Sequence, residues 1–141
     1  MPQTYLGFDY GEKKIGVAIS QSITQTCAPL EIIASINGKP DWQAIEKVIR
    51  QWQPECLIVG VPYHMDKTSQ PLTLKAQKFG RQLNGRFQLE VFEVDERLST
   101  QEARYQLKSN RQKKLAKRAG QVDHLAAALI LQTWLDTNAA S

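Results

Sequence analysis

Cysteine is scarce in this sequence: Cys27 and Cys56 are the only two in 141 residues. They lack metal-knuckle spacing, and two are too few for a disulfide scaffold, so a hydrophobic core in a reducing compartment is expected to hold the chain together. Long apolar runs are also missing. No stretch approaches the ~18 apolar residues of a membrane span, and "MPQTYLGFDYG" at the start has neither a basic nor a long apolar segment. These absences point to a cytoplasmic protein with no membrane partner. Repeats, low-complexity tracts and linkers are absent too, so residues 1–141 read as a single domain, long enough to bury about two-thirds of its unfolded surface. Acid is absent from one stretch, 103–122, "ARYQLKSNRQKKLAKRAGQV", which holds seven bases; the whole chain carries +4, so the remainder sums to −3. A one-sided block of this kind is either a solvated face or a grip for a polyanion such as RNA or DNA.

What is present alternates in a recognisable way. Tyr5–Phe8 and Ile15–Ile19 read as strands of a β-hairpin joined by "DYGEKK", where Gly11 tolerates a tight turn. "LEIIASI" adds a third strand after Pro29, ended by the turn residues "NGKP". Asp41 then caps a helix with apolar Trp42, Ile45, Val48, Ile49 and Trp52 at helical spacing, stopped by Pro54. "CLIVGVP", residues 56–62, is apolar throughout, as expected of a strand inside the sheet covered on both faces. A helix from Leu72 to Leu83, with Gly85 as its stop, is followed by a strand at 88–96. The capping box Ser99–Glu102 opens another helix, and "DHLAAALILQTWLD" is a last, almost wholly apolar helix. The order predicts an α/β domain whose mixed sheet is antiparallel over its first three strands and parallel afterwards, with helices on both faces.

Three acidic positions fall at comparable places. Asp9 ends the first strand, Asp95 and Glu96 end a later one, and Asp123 opens the last helix. If the two strands lie side by side and parallel, their acidic ends share one edge, to which a helix crossing the sheet can bring Asp123. Converging carboxylates repel unless a hard divalent cation joins them, and such cations promote phosphodiester hydrolysis. Each acid has a plainer reading as well: Asp9 as a turn residue, Asp123 as a first-turn charge, Asp95 as an ion-pair partner of Arg97.

"FDYGEKKIGVA", "IVGVPYHMDKTSQP", "VDERLST" and "DHLAAALIL" resemble, in order and spacing, the four signature blocks of the YqgF family, the pre-16S rRNA nucleases also called Holliday-junction-resolvase-like proteins. The resemblance spans nearly the whole chain. It implies an RNase H-like fold and metal-dependent cleavage of nucleic-acid phosphodiesters, with Mg²⁺ or Mn²⁺ as cofactor, and a role in maturing the 16S rRNA 5′ end during ribosome biogenesis. Carried over, the acidic triad falls on Asp9, Glu96 and Asp123 as catalytic metal ligands, with water as the nucleophile. Neighbouring strand residues face opposite ways, and the family pattern selects Glu96 over Asp95. Lys14 and Arg97 become phosphate contacts, joined by Arg111, Lys113, Lys114, Lys117 and Arg118 of the basic block. The chain departs from relatives at His64 and Lys67, where asparagine and glycine are usual, and at His124, where a small residue is common.

The partner implied is precursor rRNA or a pre-ribosomal particle, bound by a monomer or weak homodimer. Two other readings compete within the same fold: an RNA-binding assembly factor with little or no catalysis, and a DNA junction resolvase. A phosphate-loop ATPase, suggested only by "DYGEKKIG", needs a second lobe for which 141 residues leave no room.

Overall fold

The computed structural model describes residues 3–21, 27–63, 66, 68–97 and 122–139, without the side chains of 122–125, 138 and 139. The Ser99–Glu102 capping box, His64, Lys67 and nearly all of the basic block lie outside the described residues. Strands β1 (Thr4–Asp9), β2 (Lys14–Gln21), β3 (Cys27–Ile36) and the two-residue β4 (Lys39–Pro40) form an antiparallel run. Helix α1 (Trp42–Trp52) leads to β5 (Cys56–Val61), and α2 (Pro71–Phe87) leads to β6 (Glu90–Asp95); helix α3 (Val122–Ala139) closes the chain. The sheet order is β4-β3-β2-β1-β5-β6, with β1 parallel to β5 and β5 parallel to β6. The expected mixed sheet is therefore present, but β1 and β6 are not neighbours. The wholly apolar β5 lies between them, buried along its length.

Alternation along the strands divides the core in two. Leu6 and Phe8 of β1, Ile15 and Val17 of β2, and Leu57, Val59 and Val61 of β5 face α1 and α2. Their focus is Phe79, whose ring packs edge-on to Phe8 and against Tyr10 and Trp42. On the other face Ala18, Cys56, Ile58 and Val94 meet Ala127, Ile130 and Leu131 of α3. Both cysteines are unbridged thiols at this second core, and burial pushes Cys27 up to about 12 and Cys56 up to about 11.

Local signals explain most boundaries. Asp41 caps α1 by accepting from the Ala44 amide at 3.2 Å, a bond worth about 1 kcal/mol. Asn37 and Gly38, both at positive φ, make the β3–β4 turn. Three boundaries differ from the sequence expectation. β3 begins at Cys27 and runs through Pro29, because a register shift at Val17/Ala18 sets Pro29 opposite Ala18 while the short β4 makes no demand on that end of β3. α2 does not stop at Gly85 but continues to Phe87, which packs on the core beside Trp42. Gln88, left-handed at φ 56°, ends it instead, so β6 starts only at Glu90.

Candidate active site

The site follows from strand parity. Tyr5, Gly7 and Asp9 of β1 point toward α3, since Leu6 and Phe8 point away. Asp9 pairs with Gly60 in β5, and Gly60 pairs with Val94 in β6. Glu96, two residues past Val94, comes to the same face just beyond the end of β6. A Cβ at Gly60 would lie 2.9 Å from Glu96 Oε1 and closer still to Ile130 Cδ1. The glycine thus leaves the gap between Asp9 and Val94 into which the Glu96 carboxyl reaches. Sequence reasoning missed Gly60, although a lone glycine inside an apolar strand is itself a signal of close approach.

Asp9 and Glu96 are brought together. Burial, followed by the Asp9 charge and the hydrogen bond between the two side chains, pushes the Glu96 pKa up to about 8. Two half-buried carboxyls this close disfavour a second negative charge, which a bound cation would relieve. Asp95 is turned elsewhere. Its carboxylate accepts from the Arg97 amide at 2.9 Å and from Arg97 Nε at 3.0 Å, and it forms an ion pair with the same guanidinium. Arg97 in turn lies 5.9 Å from the Tyr63 ring centroid. The structure therefore separates the adjacent acids, with Glu96 at Asp9 and Asp95 on Arg97.

Asp123 is the second residue of α3. Helix α3 runs antiparallel to β1, because Trp134 lies tilted against Tyr5 with ring centroids 5.4 Å apart while Ala127 and Leu131 sit over Gly7. One further turn toward the helix start covers about 6 Å, the same advance as from Gly7 to Asp9 along the strand. The first turn of α3, with Asp123 in it, is thereby directed to the Asp9 end of the sheet; its side chain is among those not described. Close contact at Gly7, where an added Cβ would meet Leu131 Cβ at 2.9 Å, fixes this placement. Lys14 is exposed at the start of β2 and lines a hollow of about 600 Å³ that also holds Asp9. Arg111, Lys113, Lys114, Lys117 and Arg118 lie outside the described residues.

The donor set suits a hard divalent cation. It consists of carboxyl oxygens held next to each other at the edge of the sheet. Among the described residues no cluster of three potential ligands occurs, and Asp9 with Glu96 forms two-thirds of the expected triad.

A mixed sheet of this order, with helices on both faces and acids at the carboxyl edge of its parallel strands, defines the RNase H-like class. Solved structures agree at the level of fold. Thermus thermophilus RuvC in complex with a Holliday junction substrate superposes with a TM-score of 0.55 at 16% identity, covering 93% of this chain and 91% of that one. The fowlpox virus resolvase with Holliday junction DNA gives 0.57 at 13% identity, covering 96% and 98%. A family model described as "RuvX: Holliday junction resolvase" matches residues 3–137. A Haemophilus ducreyi protein named "Putative pre-16S rRNA nuclease" is 47% identical over 138 residues, 98% of this chain and 99% of its own. One of the same name from Edwardsiella ictaluri is 46% identical over 135 residues, 96% of each chain. The chain belongs to the RuvX (YqgF) family and is an enzyme of the nuclease class.

Proposed function

We propose that this protein is a metal-dependent endonuclease of structured nucleic acid that processes the 5′ end of precursor 16S rRNA in the cytoplasm. The meeting of Asp9 and Glu96 over Gly60, at the edge toward which α3 directs Asp123, carries the reading. These three residues would hold Mg²⁺ or Mn²⁺. A bound divalent cation supplies Lewis-acid polarisation of the phosphate and activation of water. A bound cation would favour the ionised Glu96 carboxyl over its protonated form, and the strand ends would keep both carboxylates in place. Lys14, beside Asp9, contacts a substrate phosphate, and Arg97, next to Glu96 in the chain, supplies a second cation near the carboxylates. The relatives' shared name favours rRNA as substrate, while the family description keeps branched DNA as the second reading.

The test is cleavage of precursor 16S rRNA and of a matched four-way DNA junction, with Mg²⁺ or Mn²⁺, by the wild type and by Asp9→Asn. Expected are metal-dependent cuts in the RNA and a drop of at least about a hundredfold in the variant. Cutting of the junction alone selects the resolvase reading. Tight RNA binding without cleavage under any metal selects the assembly-factor reading.

A further inference from the structure

On the face of the sheet away from Asp9 and Glu96, the β3–β4 hairpin, the start of α1 and the length of α2 enclose an open groove of about 580 Å³. Tyr10 and Trp42 line it, and Tyr10 donates to the Gly38 carbonyl at 3.2 Å, tying the hairpin over one end. The remaining wall is cationic: Lys39 comes from the hairpin, and Lys75, Lys78 and Arg86 from α2.

Helix α2 is the source of that charge. It holds Lys75, Lys78, Arg81 and Arg86 and no acid along its seventeen residues. At 100° per residue, Lys75, Lys78 and Arg86 fall within a sector of roughly 80°, a stripe about 16 Å long. An ordinary solvated helix face tends to pair its charges, as Arg50 pairs with Glu46 on α1. Here, among the described residues, Lys75 alone is paired, with Glu12. Lys39 and Lys78 are exposed and have no carboxylate partner among the described residues. Arg86 lies 4.2 Å over the Trp42 ring, which is itself stacked on Phe79, so a core aromatic aims the guanidinium into the groove.

The groove also leads toward the carboxylates. Tyr10 follows Asp9 in the chain, and Glu12, the partner of Lys75, lines the hollow that contains Asp9 and Lys14. The Glu12–Lys75 pair is the ridge between the two depressions. A polyanion that reached Asp9 would cross this ridge over the β1–β2 turn and meet a cationic channel of matching sign.

We propose that this groove is a second docking surface for the nucleic-acid substrate, in which Lys39, Lys78 and Arg86 hold the phosphodiester backbone flanking the cleaved bond. The inference rests on the nuclease reading and extends it to the opposite face of the sheet. Its interactions are charge on phosphate, so they raise affinity without reading sequence.

The experiment is equilibrium binding of a labelled 40-nucleotide RNA, in chelator to prevent cleavage, across 50 to 300 mM KCl. The wild type is compared with Lys39→Gln/Lys78→Gln, and Arg86→Gln is measured separately because Arg86 also touches Trp42. With two phosphates no longer neutralised, binding should weaken at low salt and the log–log salt slope should flatten by roughly 1.4 to 1.8. The single variants should each give about half of that change. Wild-type affinity and slope in the double variant overturn the groove alone. A wild type that binds neither this RNA nor a four-way DNA junction under the same conditions overturns both the groove and the nuclease reading.

Discussion

At the scale of single residues, the neighbouring acids Asp95 and Glu96 have opposite fates. Asp95 is paired with Arg97, whereas Glu96 meets Asp9 and has its pKa pushed up to about 8 by burial and by the Asp9 charge. A carboxyl whose folded pKa exceeds its unfolded value stabilises the fold fully below the unfolded pKa, near 4.5. That contribution is lost as pH rises toward 8. Metal-free protein should therefore show a urea midpoint that declines between pH 5 and 8 more steeply in wild type than in Glu96→Gln. Chelator-treated samples measured across that window check the difference. Glu96→Gln should also lose cleavage, while Asp95→Asn, which loosens Arg97 and leaves Glu96 at Asp9, should retain most of it. Equal losses in both variants would contradict the separation of the two acids.

Elements meet here through glycine. Gly7 lets α3 lie against β1, and Gly60 makes room for both Ile130 and the Glu96 carboxyl. A methyl at Gly7 would meet Leu131 Cβ, an atom fixed to the helix backbone, so α3 itself must move. Gly7→Ala should cost about 1–3 kcal/mol, as overpacking of a tight core does. Gly60→Ala presses on the far end of Ile130, which can rotate, and on Glu96, which cannot move without leaving Asp9. Its stability loss should be smaller than that of Gly7→Ala and its activity loss larger. Denaturant melts alongside cleavage rates test this ordering; the reverse order would mean that Gly60 serves packing alone.

For the molecule as a whole, charge is distributed unevenly around the sheet. Asp9, Asp95 and Glu96 lie at the carboxyl ends of β1 and β6, α2 carries an acid-free stripe on one face, and the 103–122 block adds seven bases in the sequence leading into α3. If that block grips substrate, neutralising Lys113, Lys114, Lys117 and Arg118 should weaken binding to all sequences and lower the salt slope by roughly 0.7 to 0.9 for each phosphate released from its cation. Sequence preference should hardly change. Salt titrations of the quadruple variant against wild type provide the measurement, and an unaltered slope would reduce the block to a solvated face.

Much of this architecture is legible in the chain itself. Alternating apolar residues and "DYGEKK" specify the β1–β2 hairpin, Asp41 and Pro54 bound α1, and the motif blocks bring Asp9, the Asp95–Glu96 pair and Asp123 forward as candidates. These features depend on neighbours within a few residues, where propensity and capping act. The four bases and absent acids of α2 are equally legible, since they lie within seventeen consecutive residues. What the sequence alone could not decide was long-range. That β5 separates β1 from β6 is a matter of strand order, and the value of Gly60 as the gap for Glu96 follows only from that order. The choice between Asp95 and Glu96 as the partner of Asp9 depends on which face of β6 meets α3, and the meeting of Lys39 with α2 on how the β3–β4 hairpin folds over the groove. Local chemistry determines each element and its faces; only the pairing of distant segments around a shared core determines which charges become neighbours.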